Sequence, residues 1–131
     1  MFINLSTISC SSWPSSAQRS SALQLSGDSI VEDMPFPCLD PWMPSSRLEE
    51  KADEYLMKIV DCAEEKGARI IVVELGNDHF AFSFFLANKL LAAGITVVTA
   101  RYKAVFSQKH GQMIVDYDFV QFIPLKKEEK K

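Results

Sequence analysis

The residues best placed to do chemistry crowd into one short turn. Gly76, Asn77, Asp78 and His79 separate the apolar run Arg69 to Leu75 from a helix-length segment rich in phenylalanine. A glycine at such a bend lets backbone approach a ligand closely, and the amides at the start of the following helix favour a phosphate or another anion. Asn77 and Asp78 also suit a helix cap. Asp78 would oppose a bound phosphate if it faced one, so Asn77 ranks above it. His79 titrates near neutrality and can move a proton, although a histidine beside a cap also serves structure alone. Arg101 and Lys103 leave the next apolar run. They are either a solvated rim or a phosphate contact, in which Arg101 binds in bidentate fashion.

Missing patterns narrow this chemistry. The turn is not GxGxxG, and it lacks the GK[ST] end of a P-loop, so neither a dinucleotide cofactor nor NTPase activity is expected. No Ser-His-Asp or Cys-His order is present, and two histidines with scattered carboxylates make no recognisable metal set. No cofactor and no metal are therefore expected.

A scaffold must bring these positions together. Phe2 to Leu5 reads as a short buried strand. Ten of the first thirty residues are serine, so residues 9–28 read as a long Ser-rich loop with room for one helical turn around Ala17 to Leu25. Ser29 to Glu32 fits a second strand, closed by a run holding Pro35, Pro37, Pro41 and Pro44 that forbids regular structure. Ser46 and Glu49 have capping-box spacing and predict a helix start. Leu48, Ala52, Tyr55, Leu56, Ile59 and Ala63 recur at helical spacing, and Gly67 ends the helix. Arg69 to Leu75 predicts a strand buried on both faces, His79 to Ala93 a helix, and Ile95 to Thr99 a further strand. That order is a βαβ unit with parallel strands. Lys103 to Ser107 and Gln112 to Phe122 predict a hairpin around Gln108 to Gly111, with His110 exposed, and residues 124–131 a solvated charged tail. The expectation is one α/β domain over residues 1–131: a Rossmann-like, mainly parallel sheet flanked by helices, with a C-terminal β-hairpin. Ligands of such sheets sit outside the carboxyl ends of the strands. That rule selects Asn4, Ser6 and Thr7 after the first strand, Glu74 and Gly76 to His79 after the central one, and Thr99, Arg101 and Lys103 after the next.

Composition bounds the rest. The chain has 131 residues, is 47% hydrophobic and carries a formal charge of -3. The last six residues contribute four positive and two negative charges, which leaves about -5 on the body. A basic surface for duplex nucleic acid is excluded, although one local anion site is not. Cys10, Cys38 and Cys62 form an odd set without CxxC spacing, which points to a reducing cytoplasm. Met1 to Cys10 lacks a positive n-region and reads as a strand rather than a signal peptide, and no apolar run is long enough for a membrane span. In the segment Phe80 to Ala93 only Ser83, Asn88 and Lys89 are strongly polar. Such a helix must be sandwiched or covered by a second subunit, and a homodimer is the expectation for so short a chain.

Taken together, the chain resembles small CRISPR-accessory proteins with a CARF (CRISPR-associated Rossmann fold) domain, related to ring nucleases. The resemblance rests on Phe2-Ile3-Asn4-Leu5-Ser6, Trp13, Ile30 to Pro37 with Leu39-Asp40-Pro41, and Ala52 to Leu56. It continues through Leu75-Gly76-Asn77 before the aromatic-rich helix, Ala93-Gly94-Ile95 and Asp118 to Phe122. It covers nearly the whole chain, and it departs at Thr99 to Tyr102, where relatives have a more hydroxyl-rich stretch.

The resemblance implies a symmetric pocket between two subunits that binds cyclic oligoadenylate, the second messenger of type III CRISPR defence, with cyclic tetra-adenylate favoured. It implies ring cleavage without metal, by attack of a ribose 2′-OH on its own phosphate. Arg101 and Lys103 would stabilise charge and His79 would move a proton. Asn4, Ser6, Thr7, Gly76, Asn77, Asp78 and Thr99 would position the ring, and Trp13 or Tyr102 would engage adenines. Two other readings stay open. One is a non-catalytic binder that sequesters the messenger, and the other is a small interaction subunit that docks through its Phe-rich helix.

Overall fold

A computed structural model describes residues 1–6, 10, 13, 16–27, 30–76 and 79–125. Short β-branched and apolar runs pair side by side as β1 (Phe2–Leu5), β2 (Val31–Asp33) and β3 (Val72–Leu75). They are joined by two long strands, β4 (Thr96–Lys109) and β5 (Gln112–Leu125), and three helices intervene: α1 (Ser16–Ser26), α2 (Ser45–Glu65) and α3 (Phe80–Ala92). The sheet order is β2-β1-β3-β4-β5. The first four strands are parallel and β5 runs antiparallel to β4, so the expected α/β class with a mostly parallel sheet and a C-terminal hairpin holds.

Alternation along the strands divides the core into two layers. Ile3, Leu5, Val73 and Leu75 pack with Ala52 and Ile59 of α2 and with Phe82, Leu86 and Leu90 of α3. On the other face Phe2, Val72, Val98 and Phe122 pack with Ala22 of α1 and with Trp13. The chain moves outward from β1 to β2 and then returns across β1 to place β3 on its other side. The order therefore reverses between β1 and β3. Among the described residues no helix is long and apolar enough to cross a membrane.

Several local expectations are corrected. The Ser-rich segment contains the 11-residue helix α1 rather than a loop. Its inward stripe is Gln18, Ala22 and Ser26, spaced by four but too polar and small to register as apolar periodicity. α2 begins at Ser45 with Pro44 as its N-cap, and no side chain caps it, so the Ser46–Glu49 box does not form; the amides of Arg47 and Leu48 donate to the Pro44 carbonyl instead. The central strand starts only at Val72, and Ile70 is exposed. β2 is Val31–Asp33, while Ser29 lies outside the described residues. The two strands expected at Ile95 to Thr99 and Lys103 to Ser107 are one continuous strand of 14 residues. His110 and Gly111 close the hairpin with φ of 53° and 75°, the left-handed pair that matches the twist of a two-residue hairpin. Val120 is an extra residue on β5, because Arg101 pairs with Gln121 and Tyr102 with Phe119. This bulge lets Phe119 and Phe122, three residues apart, share the α1 face. Gly67 ends α2 as expected, at φ 66°. The tail after Leu125 lies outside the described residues.

Candidate functional site

Open parallel sheets bind ligands outside the carboxyl ends of their strands where strand order reverses, and here the order reverses between β1 and β3. At that point three polar residues stand in register on adjacent strands. Asn4 of β1 pairs with Asp33 of β2 on one side and with Glu74 of β3 on the other. Asn4 and Glu74 are almost fully buried, at 1% and 5% exposure. The Asn4 side-chain amide donates from Nδ2 to Asp33 Oδ1 at 2.9 Å, and its Oδ1 accepts from Ser6 Oγ at 2.9 Å. Asp33 also accepts from the Cys10 amide at 2.9 Å and from the Cys10 thiol at 3.4 Å. Burial, and then the Asp33 carboxylate, push the Cys10 thiol up, so it stays protonated and is a poor nucleophile.

Glu74 differs from its neighbours. No described residue donates a hydrogen bond to it, and burial, followed by the charge of Asp33, pushes its carboxyl up to about 7. A carboxyl poised there exchanges protons readily at neutral pH. Above it, Gln18 of α1 is fully buried and donates from Nε2 to the Tyr102 hydroxyl at 2.8 Å, while Gln18 Oε1 is buried without a partner. Burial raises the Tyr102 phenol, the Gln18 bond opposes this, and the charge of Glu74 adds to the rise, which places the phenol within electrostatic reach of the carboxyl.

Several backbone groups around the turn after β3 have protein partners. The Gly76 amide donates to the Leu5 carbonyl at 2.9 Å, and the Gly76 carbonyl accepts from Ser83 Oγ at 2.6 Å. His79 is the N-cap of α3: its Nδ1 accepts from the Phe82 amide at 3.3 Å, and its carbonyl accepts from the Ser83 amide. These bonds take up the amides of Gly76, Phe82 and Ser83. Cap duty leaves His79 only its Nε2 for other work. Thr7, Asn77 and Asp78 lie outside the described residues.

Strand alternation splits the remaining expected site residues. Asn4, Ser6 and Tyr102 gather with Glu74 and Gln18 on the α1 side, as their contacts show. Gly76 and Thr99 line an apolar cleft of about 250 Å³ against Phe80, Ser83 and Phe84 on the α3 side. Arg101 and Lys103 are exposed and continue the Thr99 face by alternation. Trp13 is partly buried and packs edge-on against Phe2 and Phe122 at 6.0 and 6.1 Å. Sequence reasoning placed Glu74 at a strand end but missed its partnership with Asp33, and it missed Gln18 entirely. The available signal was a lone acid inside an otherwise apolar strand, which burial makes expensive. Among the described residues no group of three or more His, Cys, Asp or Glu side chains is arranged to hold a metal ion.

No protein-family model, no curated protein and no solved structure matches the chain.

Proposed function

We propose that the chain is a Rossmann-like, CARF-type domain that binds cyclic oligoadenylate, with cyclic tetra-adenylate favoured, at the carboxyl edge of its parallel sheet. It does so as a cytoplasmic homodimer and linearises the ring. The reading rests above all on the Asp33–Asn4–Glu74 row, which lies where a parallel sheet binds its ligands and carries one carboxyl poised to exchange a proton. Arg101 and Lys103 supply phosphate contacts. Ser6 and Tyr102 offer hydrogen bonds and a ring face to ribose and base.

In the proposed reaction the ribose 2′-oxygen attacks the adjacent phosphorus and gives its proton to the ionised Glu74 carboxylate. The P–O5′ bond breaks, and the leaving oxygen takes a proton from His79 Nε2 or from water. The products are a 2′,3′-cyclic phosphate and a 5′-hydroxyl, and the charge that develops on the phosphoryl oxygens falls to Arg101, whose side chain reaches over the strand ends from the α3 face to the α1 face of Glu74. No cofactor enters this scheme.

The burial of Glu74 favours a second reading, in which the chain holds the messenger without cutting it. Incubation with labelled cyclic tetra- and hexa-adenylate, followed by separation of products, tells the two apart: linear products support cleavage, retention of intact rings leaves the binder, and no retention removes both. The stacked and exposed pair Phe80 and Phe84 favours the third reading, an interaction subunit, which predicts no nucleotide affinity at all.

A further inference from the structure

β4 and β5 run far past the rest of the sheet. β3 ends at Leu75, beside the last residues of β4 that pair with it, and β4 then continues ten residues beyond Thr99 to Lys109. At about 3.4 Å per residue this is an arm on the order of 30 Å long, overhanging the carboxyl-edge site. Its two faces are chemically distinct. Directly paired residues share a face, so Tyr102 with Phe119, Ala104 with Tyr117, Phe106 with Val115 and Gln108 with Met113 form one surface. The opposite surface carries Lys103 with Asp118 and Val105 with Asp116.

The apolar surface continues the core under α1, since Phe119 belongs to that cluster, and then emerges uncovered. Phe106, Met113 and Tyr117 are 65%, 67% and 61% exposed. A β-sheet face of this pattern is half of a sandwich.

We propose that the arm packs face to face on the arm of a second copy of this chain, with the two-fold axis near Phe106 and Val115. Three observations select a second copy. With Tyr102 and Val115, the exposed side chains present roughly 600 Å² on each chain, and two such faces meet the roughly 1,000 Å² that a specific interface needs. An axis through Phe106 and Val115 sets Met113 of one chain over Tyr117 of the other, so that the most exposed apolar residues of the two arms cover one another. Pairing of two β5 edges about an axis near Tyr117 would set Asp116 of each chain against Asp118 of the other, which disfavours that edge-to-edge register. The interface thus belongs to the arm and not to Phe80 and Phe84 of α3. It stands whether or not the chain binds cyclic oligoadenylate.

Light scattering on the full chain at micromolar concentration, without nucleotide, tests this. The expected mass is twice 14.7 kDa. Phe106→Asp and, separately, Tyr117→Lys should halve it while circular dichroism stays unchanged, and Phe80→Ser should not. As a check that needs no disruptive variant, Phe106→Cys in a chain whose three native cysteines are serine should be linked between chains by a short bis-maleimide, whose span suits sheets about 10 Å apart. A wild-type mass of one chain, dimers that survive both arm substitutions, or no cross-link at position 106 would overturn the proposal. A separate titration with cyclic tetra-adenylate reports on the ligand reading alone.

Discussion

Asn4 and Glu74 face each other in register across neighbouring parallel strands, at the point where the sheet reverses its order. Both are buried, but only Asn4 has hydrogen-bond partners among the described residues: it donates to Asp33 and accepts from Ser6, while the Glu74 carboxyl receives nothing. A buried carboxyl without a donor is costly when ionised. That cost is an obvious candidate for the local sacrifice of stability that binding sites make.

The cost has a pH signature. Glu74 holds its proton more tightly in the folded chain, with a pKa of about 7 against an ordinary 4.5. Between those values the native state binds more protons than the unfolded state, so stability falls as pH rises through the window. Above it the ionised carboxylate costs up to about 3 kcal/mol. Glu74→Gln removes the titration, so urea unfolding of this variant should be flat with respect to Glu74 over the same window and should exceed wild type above pH 7. Parallel profiles for the two proteins would contradict the burial of an unpartnered acid.

Asn4→Asp would place a third carboxylate between Asp33 and Glu74. Loss of the donated bond and repulsion between like charges should destabilise the fold by several kcal/mol at neutral pH and by less under acid conditions, where carboxyls are neutral. Thermal melts at two pH values measure the difference.

Gln18 and Tyr102 form a pair suited to a double-mutant cycle. Tyr102→Phe leaves buried Gln18 Nε2 without its acceptor and should cost about 1–2 kcal/mol. Gln18→Leu removes a side chain whose Oε1 already lacks a partner, so it should be near neutral or stabilising. In the double variant the Tyr102→Phe penalty should largely vanish, and additivity would argue against the bond.

The arm depends on its turn. A Cβ at Gly111 would meet nothing within 4 Å, so Gly111→Ala is penalised only by its positive φ, by about 1 kcal/mol. Denaturant midpoints for this variant and for His110→Asn, which suits the left-handed position better and should gain stability, test the turn assignment.

The sequence was most legible where periodicity was strong. α2 and its Gly67 stop, the buried strands and the Phe-rich helix all follow from apolar spacing. α1 did not, because its inward stripe of Gln18, Ala22 and Ser26 reads as polar linker, and only contact with Phe2 and Phe122 makes that face a core. The capping box at Ser46 failed because Pro44 already supplies the carbonyl that takes up the first amides of α2. In the candidate site, strand-end positions such as Asn4 and Glu74 could be chosen by rule, but which of them meet depends on β1 lying between β2 and β3. That is a non-local fact no local pattern encodes. The partner of the Gly76 amide is equally non-local: it donates to Leu5, seventy-one positions earlier in the chain.

Calorimetric titration of the full chain with cyclic tetra-adenylate, for wild type, Arg101→Ala and Glu74→Gln, bears most directly on what the molecule does. Saturable binding by wild type, markedly weakened by Arg101→Ala and retained without ring opening by Glu74→Gln, is the predicted result. Absence of any heat of binding to the correctly folded wild-type chain would contradict it.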